Sequence, residues 1–254
     1  MAFFQCNCHS FVLESSYTLN VILPQSIAGQ PAEGYPTLWL LHGLGNNASD
    51  WARRTRIERY ALNRGIAVVM PDGGRSFYKN IPKGLRYGDF FQEELHDLAR
   101  SFFPLSAKRK DNFIAGLSMG GYGAFLLALS QPERYAAAAS FSGPIDMPSC
   151  FANLSEDTPL KPDEASHLLS DVPKARGSKY DLIALAKQQL ANGFPLPDLY
   201  ACCGKQDFLH PCNRHFVTQA EKLSLPLTYE DWEGNHNWSL FDQMVAKFID
   251  ELPL

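Results

Sequence analysis

No run in this sequence approaches the about 18 consecutive apolar residues that a transmembrane helix needs, so no membrane span is expected. The first residues, Met-Ala-Phe-Phe-Gln-Cys, lack both the basic stretch and the long apolar core of a secretory leader. A cytoplasmic location is therefore expected. Positive charge is not in excess either: 23 Lys and Arg stand against 27 Asp and Glu, for a net charge of −4. Phosphate binding wants a clustered basic face, so nucleic acid is not the expected partner. The one local cluster, Arg53, Arg54, Arg56 and Arg59, is interleaved with Asp50, Glu58 and apolar residues, and reads as a solvated helix face. Internal repeats and low-complexity tracts are missing. Metal-ligand spacing is missing as well. Cys6 and Cys8, two apart on an expected strand, lack the spacing of a zinc site, and Cys202 and Cys203 are adjacent and so point to opposite faces of theirs; no metal is expected. With Cys150 and Cys212 these make six cysteines, expected as reduced thiols, since a chain of this length need not rely on disulfides.

What is present is a succession of short β-rich runs alternating with helical ones over 254 residues, 45% of them hydrophobic. That pattern predicts an α/β fold, one domain over 1–254, with a mostly parallel sheet of about eight strands covered by helices on both faces. Segments 3–9 and 16–23 read as two leading strands, an antiparallel start. Pro36–His42, Ile66–Met70, Asn112–Leu117 and Ala136–Phe141 are continuous apolar runs, as strands buried on both faces should be. Asp198–Cys203 and Leu227–Trp232 complete the set. Helices are expected over Asp50–Asn63 (capped by Ser49 or Asp50 and ended by Gly65), Phe90–Phe103, the Ala/Leu-rich run after Ser118, Tyr180–Leu190 and Ser239–Leu252. Residues 146–195 are the least regular and read as an excursion over one end of the sheet.

The sharpest motif is Gly116-Leu117-Ser118-Met119-Gly120, which fits G-x-S-x-G between a buried strand and a helix. A serine on such an elbow projects its hydroxyl from a strained turn, and the flanking glycines let helix and strand approach. This is the nucleophile signature of the α/β-hydrolase fold. A serine hydroxyl is a poor nucleophile without a base, and that base must be oriented by a third group, found in the chain order Ser, acid, His. Of the histidines, His210, His215 and His236 follow a plausible acid. His236 sits in the polar loop Glu233-Gly234-Asn235-His236-Asn237-Trp238 between the last strand and the last helix, where sheets of this type keep their sites, and is the expected base. Asp207, just past the strand 198–203, is the expected acid, with Asp231 and Glu233 as rivals nearer His236 in sequence. His42-Gly43-Leu44-Gly45-Asn46 follows the first fully buried strand, so the main-chain amides of Leu44 and Met119 are the expected oxyanion donors. His42 is expected to support that loop. Trp51, Tyr78, Tyr122 and Trp238 are the aromatic candidates for lining a substrate pocket, with core packing the competing role for each.

Beyond the elbow, the chain resembles the tributyrin-esterase branch of the esterase D family, relatives of S-formylglutathione hydrolase and the antigen 85 mycolyltransferases. The resemblance rests on segments 40–47, 70–78, 93–95, 115–124, 177–182, 203–209 and 235–238, and so runs over nearly the whole chain. It implies Ser118 as nucleophile, Asp207 as acid and His236 as base, with Leu44 and Met119 as oxyanion donors. It also implies hydrolysis of short acyl esters without any cofactor. The sequence departs from the family at Lys205-Gln206, where threonine-glutamate is expected, and at Cys212, where an acidic or polar residue is more usual; segment 147–176 matches least. A small-molecule ester is thus the expected partner, with a homo-oligomer left open. Two other readings compete: a thioesterase or acyltransferase using the same triad, and a non-catalytic binding scaffold on this fold.

Overall fold

Alternation of side chains along the strands divides the core into two layers. In the computed structural model, which describes residues 1–25, 30–151, 160 and 176–254, Leu38 and Leu40 of strand β3 (Thr37–Leu41) face one layer while Trp39 and Leu41 face the other. The remaining strands are β1 (Ala2–Ser10), β2 (Ser15–Leu23), β4 (Ala67–Pro71), β5 (Asn112–Leu117), β6 (Ala137–Phe141), β7 (Asp198–Gly204) and β8 (Leu227–Trp232). They form one eight-stranded sheet in the order β1-β2-β4-β3-β5-β6-β7-β8. The pairs β1–β2 and β2–β4 are antiparallel and the rest parallel, which is the antiparallel start and parallel body that the apolar runs predict. This is the α/β-hydrolase fold.

The helix that follows β5, here called α-elbow (Met119–Ser130), is buried from Met119 through Leu129. A helix that is apolar all round can only be a core helix. Its Phe125 meets Phe216 at 6.0 Å between ring centroids, and it fills the layer that contains Trp39 and Ile114. The opposite layer is closed by the C-terminal helix (Trp238–Glu251), whose Phe241, Met244, Val245 and Phe248 are buried.

Three local expectations need correcting. The helix expected over Asp50–Asn63 is two, Asp50–Arg54 and Ile57–Arg64. At the break Thr55 is extended, its hydroxyl donating to the Trp51 carbonyl at 2.5 Å, and the Arg56 amide donates to Asp242 at 2.9 Å in place of a helical partner. Ser49 makes no side-chain cap; the Asp50 carboxylate instead accepts from the Asn47 amide at 2.9 Å. The helix expected from Phe90 begins at Tyr87 and contains a π-turn over Phe90–Glu94 before continuing as Leu95–Phe102. The Glu94 carboxylate accepts from the Ser10 hydroxyl and the Phe11 and Val12 amides, at 2.6, 2.8 and 3.1 Å, and so pins the β1–β2 turn. The arginine cluster is a surface face, as expected: Arg54 pairs with Asp50 at 2.7 Å and Arg56 with Asp242 at 3.0 Å.

The cysteines are the fourth correction. Cys6, Cys8, Cys202 and Cys203 are free thiols, but Cys150 and Cys212 form a disulfide with a Cα–Cα distance of 5.3 Å. The two lie 62 positions apart. They meet because a four-residue helix, Met147–Cys150, packs its end on the first turn of the helix His210–Lys222. Of the expected excursion over 146–195, residues 152–159 and 161–175 lie outside the described residues.

Candidate active site

Ser118 joins β5 to the α-elbow helix with φ 53° and ψ −121°, a conformation an L side chain adopts only under constraint, at a cost on the order of 1–3 kcal/mol. The constraint is visible. The Ser118 amide donates to the Phe141 carbonyl at 2.8 Å, and the Ser118 carbonyl accepts from the Gly121 amide at 2.8 Å. The two motif glycines allow backbone to lie against backbone: a Cβ on Gly116 would sit 2.4 Å from the Gly120 carbonyl group, and one on Gly120 would sit 2.5 Å from the Leu41 carbonyl oxygen. The elbow is thus wedged against the end of β3.

The loop after β3 touches the serine directly. A Cβ on Gly43 would lie 3.4 Å from that of Ser118, and Leu44 and Met119 both border the space in front of it. His42 holds this loop from beneath, as expected. Its Nε2 accepts from the Gly73 amide at 2.8 Å, which leaves Nδ1 to donate to the Gly43 carbonyl at 2.8 Å. The Tyr78 hydroxyl donates to the His42 carbonyl at 2.8 Å.

Asp207 follows β7 and is 4% exposed. One carboxylate oxygen, Oδ1, accepts from the Leu209 amide at 2.9 Å; the other, Oδ2, meets His236 Nδ1 at 2.7 Å. With Nδ1–H donating to the carboxylate, Nε2 of His236 is left as the basic nitrogen. Phe208 and Phe241 stand against the imidazole with ring centroids 5.0 and 5.1 Å away. His236 and Ser118 line the same cavity, of about 520 Å³.

The rival residues are engaged elsewhere. Asp231 pairs with His210 at 2.8 Å and His215 with Asp146. Glu233 accepts from Lys205 at 2.5 Å and from the Gln206 amide group at 3.1 Å. Lys205 and Gln206 are the positions that depart from the family pattern, and here they latch the acid loop to the histidine loop. The Gly234 amide donates to Gln206 Oε1 at 2.6 Å, and a Cβ on Gly204 would lie 2.2 Å from the Gly234 carbonyl oxygen.

Of the four aromatic candidates, only Trp238 lines the cavity. Trp51 is 1% exposed, donates its indole N–H to the Leu41 carbonyl at 2.9 Å and backs Trp238 edge-on at 5.3 Å. Tyr78 is committed to His42, and the buried Tyr122 donates to the Tyr180 carbonyl at 2.9 Å. These three hold the floor beneath the site and do not form its wall. The wall is instead Phe77, Phe151, Leu160, Phe208, Leu209 and the Cys150–Cys212 bridge. None of these was expected from the sequence to line a pocket. Phe77 and Phe208 lie within segments 70–78 and 203–209 and were open to notice, whereas Phe151 and Leu160 lie in the stretch without periodicity.

The sequence and the fold also match known proteins. The pattern of the Esterase family matches residues 10–253. An acetyl esterase of Caldicellulosiruptor saccharolyticus is 30% identical over 98% of this chain and 97% of its own. Among solved structures, the substrate-bound fluorophosphonate-binding serine hydrolase F (FphF) of Staphylococcus aureus superposes with a TM-score of 0.90 at 32% identity, covering 99% of this chain and 98% of the other. The S-formylglutathione hydrolase FrmB of the same organism has a TM-score of 0.87 at 32% identity over the same shares of the two chains. The chain therefore belongs to the Esterase family and is a serine hydrolase with the α/β-hydrolase fold.

Proposed function

We propose that this protein is a carboxylesterase that hydrolyses short-chain acyl esters through an acyl-enzyme on Ser118, with His236 as base and Asp207 as the acid that orients it. The observation that carries the reading is the 2.7 Å bond from His236 to a buried Asp207, on a cavity wall shared with a serine held at positive φ. In the first half-reaction His236 Nε2 takes the Ser118 proton as Oγ bonds to the ester carbonyl carbon. Negative charge gathers on the carbonyl oxygen, and the amides of Leu44 and Met119 receive it there. Collapse breaks the carbon–oxygen bond to the alcohol, which leaves with the proton returned by His236. Water then repeats the sequence on the acyl-serine and releases the carboxylic acid. No cofactor enters any step.

Asp207 keeps the imidazole in the tautomer that leaves Nε2 basic. Asp207→Asn is expected to lower kcat about 10⁴-fold with the fold retained, since an amide in that place favours the wrong tautomer. Steady-state turnover of p-nitrophenyl acetate measures it, and a loss below tenfold would remove Asp207 from the role. The kinship with an acetyl esterase supports a small acyl group. A second reading, thioester hydrolysis, is favoured by the equally similar S-formylglutathione hydrolase. Comparing kcat/KM on p-nitrophenyl acetate, p-nitrophenyl butyrate and S-formylglutathione separates the two. Fluorophosphonate should label the wild-type chain at Ser118; a folded protein that resists labelling and turns over none of these substrates would be a scaffold.

A further inference from the structure

The disulfide lies at the cavity as well as between two packed helices. Both its cysteines line the cavity that holds Ser118 and His236. Cys150 ends a helix of only four residues, far too short to hold itself together in water. Yet that helix delivers Ser149, Cys150 and Phe151 to the cavity wall. It is fastened to the helix His210–Lys222 at two points one turn apart. Cys150 bonds to Cys212, and Asp146 pairs with His215, so the two rungs run in antiparallel register. The Ser149 hydroxyl adds a bond to Asp146 at 2.7 Å, and Phe151 rests edge-on against Phe77 at 5.9 Å. Only the disulfide among these is covalent, and it is the rung nearer the cavity, because Cys150 and Cys212 line it whereas Asp146 and His215 do not.

We propose that the Cys150–Cys212 bridge is a specificity-determining element of the pocket: it fixes the wall that grips the part of an ester reaching beyond the reacting carbonyl. The inference rests on the esterase reading above. Atoms at the carbonyl meet Ser118, His236, Leu44 and Met119, none of which is on the tethered helix. A longer acyl or alkoxy chain extends into the cavity, whose lining includes Ser149, Cys150 and Phe151 of the tethered segment. Reduction breaks one Sγ–Sγ bond, consumes two electrons and two protons and leaves two thiols; a trialkylphosphine supplies the electrons and departs as its oxide, with oxygen from water. The wall then rests on non-covalent contacts, among them the Asp146–His215 pair, the Ser149 hydroxyl 3.3 Å from His215, Arg176 beside Asp146 and Ser149, and the Phe77–Phe151 contact.

The test compares wild type, phosphine-reduced wild type and Cys150→Ser/Cys212→Ser across two series, p-nitrophenyl acyl esters from acetyl to octanoyl and acetate esters of lengthening alcohols. Alkylation of the denatured, unreduced wild type should modify four of its six cysteines. In at least one series the kcat/KM of the long members relative to the shortest should fall about tenfold on reduction, the lower end of what one methylene contact discriminates in an apolar pocket. The loss should fall mainly in KM. The double variant should match the reduced protein and show no further response to phosphine. Ratios unchanged in both series, in protein whose circular dichroism is unaltered, would overturn the proposal, as would alkylation of all six cysteines before reduction. Absence of turnover on every ester in every form would instead overturn the esterase reading itself.

Discussion

Ser118→Ala is expected to lower kcat by about 10⁶-fold and to abolish fluorophosphonate labelling, while the folded chain remains. The size follows from how serine hydrolases lose function: with no nucleophile, no acyl-enzyme forms, and only the oxyanion amides and substrate binding still favour the reaction. Alanine accepts this change at modest structural cost. Among the described residues, the bonds that hold the elbow come from the main chain of Ser118 and not from its hydroxyl. An alanine at φ 53° is as strained as the serine, so the unfolding midpoint should move little. The measurement is burst-phase and steady-state hydrolysis of p-nitrophenyl acetate. Retention of even one hundredth of the wild-type rate would mean that another residue attacks the carbonyl.

His236→Ala should cost a similar factor, about 10⁶ in kcat, because a serine without its base is scarcely better than no serine. Here the structure adds a second effect that must be kept apart from the first. Removing the imidazole leaves Asp207 Oδ2 buried without its 2.7 Å partner, at a cost of about 1–3 kcal/mol in stability. That leaves most molecules folded at moderate temperature and cannot produce a millionfold loss. Two readouts isolate the chemical role. Ser118→Ala placed on top of His236→Ala should slow the reaction little further, since the two act as one unit. Added imidazole should partly restore turnover in His236→Ala by occupying the space between Phe208 and Phe241, and should do nothing for Ser118→Ala. A double variant whose losses multiply would sink the shared role.

The candidate site was legible in the sequence to the extent that chemistry ties residue type to chain order. Gly116, Ser118 and Gly120 announced themselves because backbone packed on backbone leaves no alternative to glycine there, and Asp207 and His236 follow at strand ends where a parallel sheet opens its loops. The strands were read almost to the residue, since a strand buried on both faces must be apolar throughout. Helix detail was less legible: the break at Thr55 depends on Asp242, nearly 190 positions away, and the π-turn at Phe90–Glu94 accompanies a bond from Glu94 to the β1–β2 turn. The pocket was read worst. Trp51, Tyr78 and Tyr122 have the composition of a binding wall, but each spends its polar atom on a main-chain carbonyl inside the protein. Nothing local tells an aromatic which side of a helix will face the cavity. The Cys150–Cys212 bond was hidden for the same reason, being set by how two helices pack and not by spacing along the chain.

The sheet order separates two kinds of task. Ser118, Asp207 and His236 leave from β5, β7 and β8, and the Leu44 loop leaves from β3, so the proposed reacting centre is carried by four strand ends. Phe151 and Leu160, and the helix that ends in Cys150, belong to the connection between β6 and β7, which carries none of the three. On the proposed reading, that connection can gain or lose residues without touching Ser118, Asp207 or His236, so that ester preference changes while the bond-cleaving residues stay in place. The sulfur bridge sets a boundary on such drift, because whatever replaces the segment must still bring a cysteine to the helix behind the acid or do without the tether.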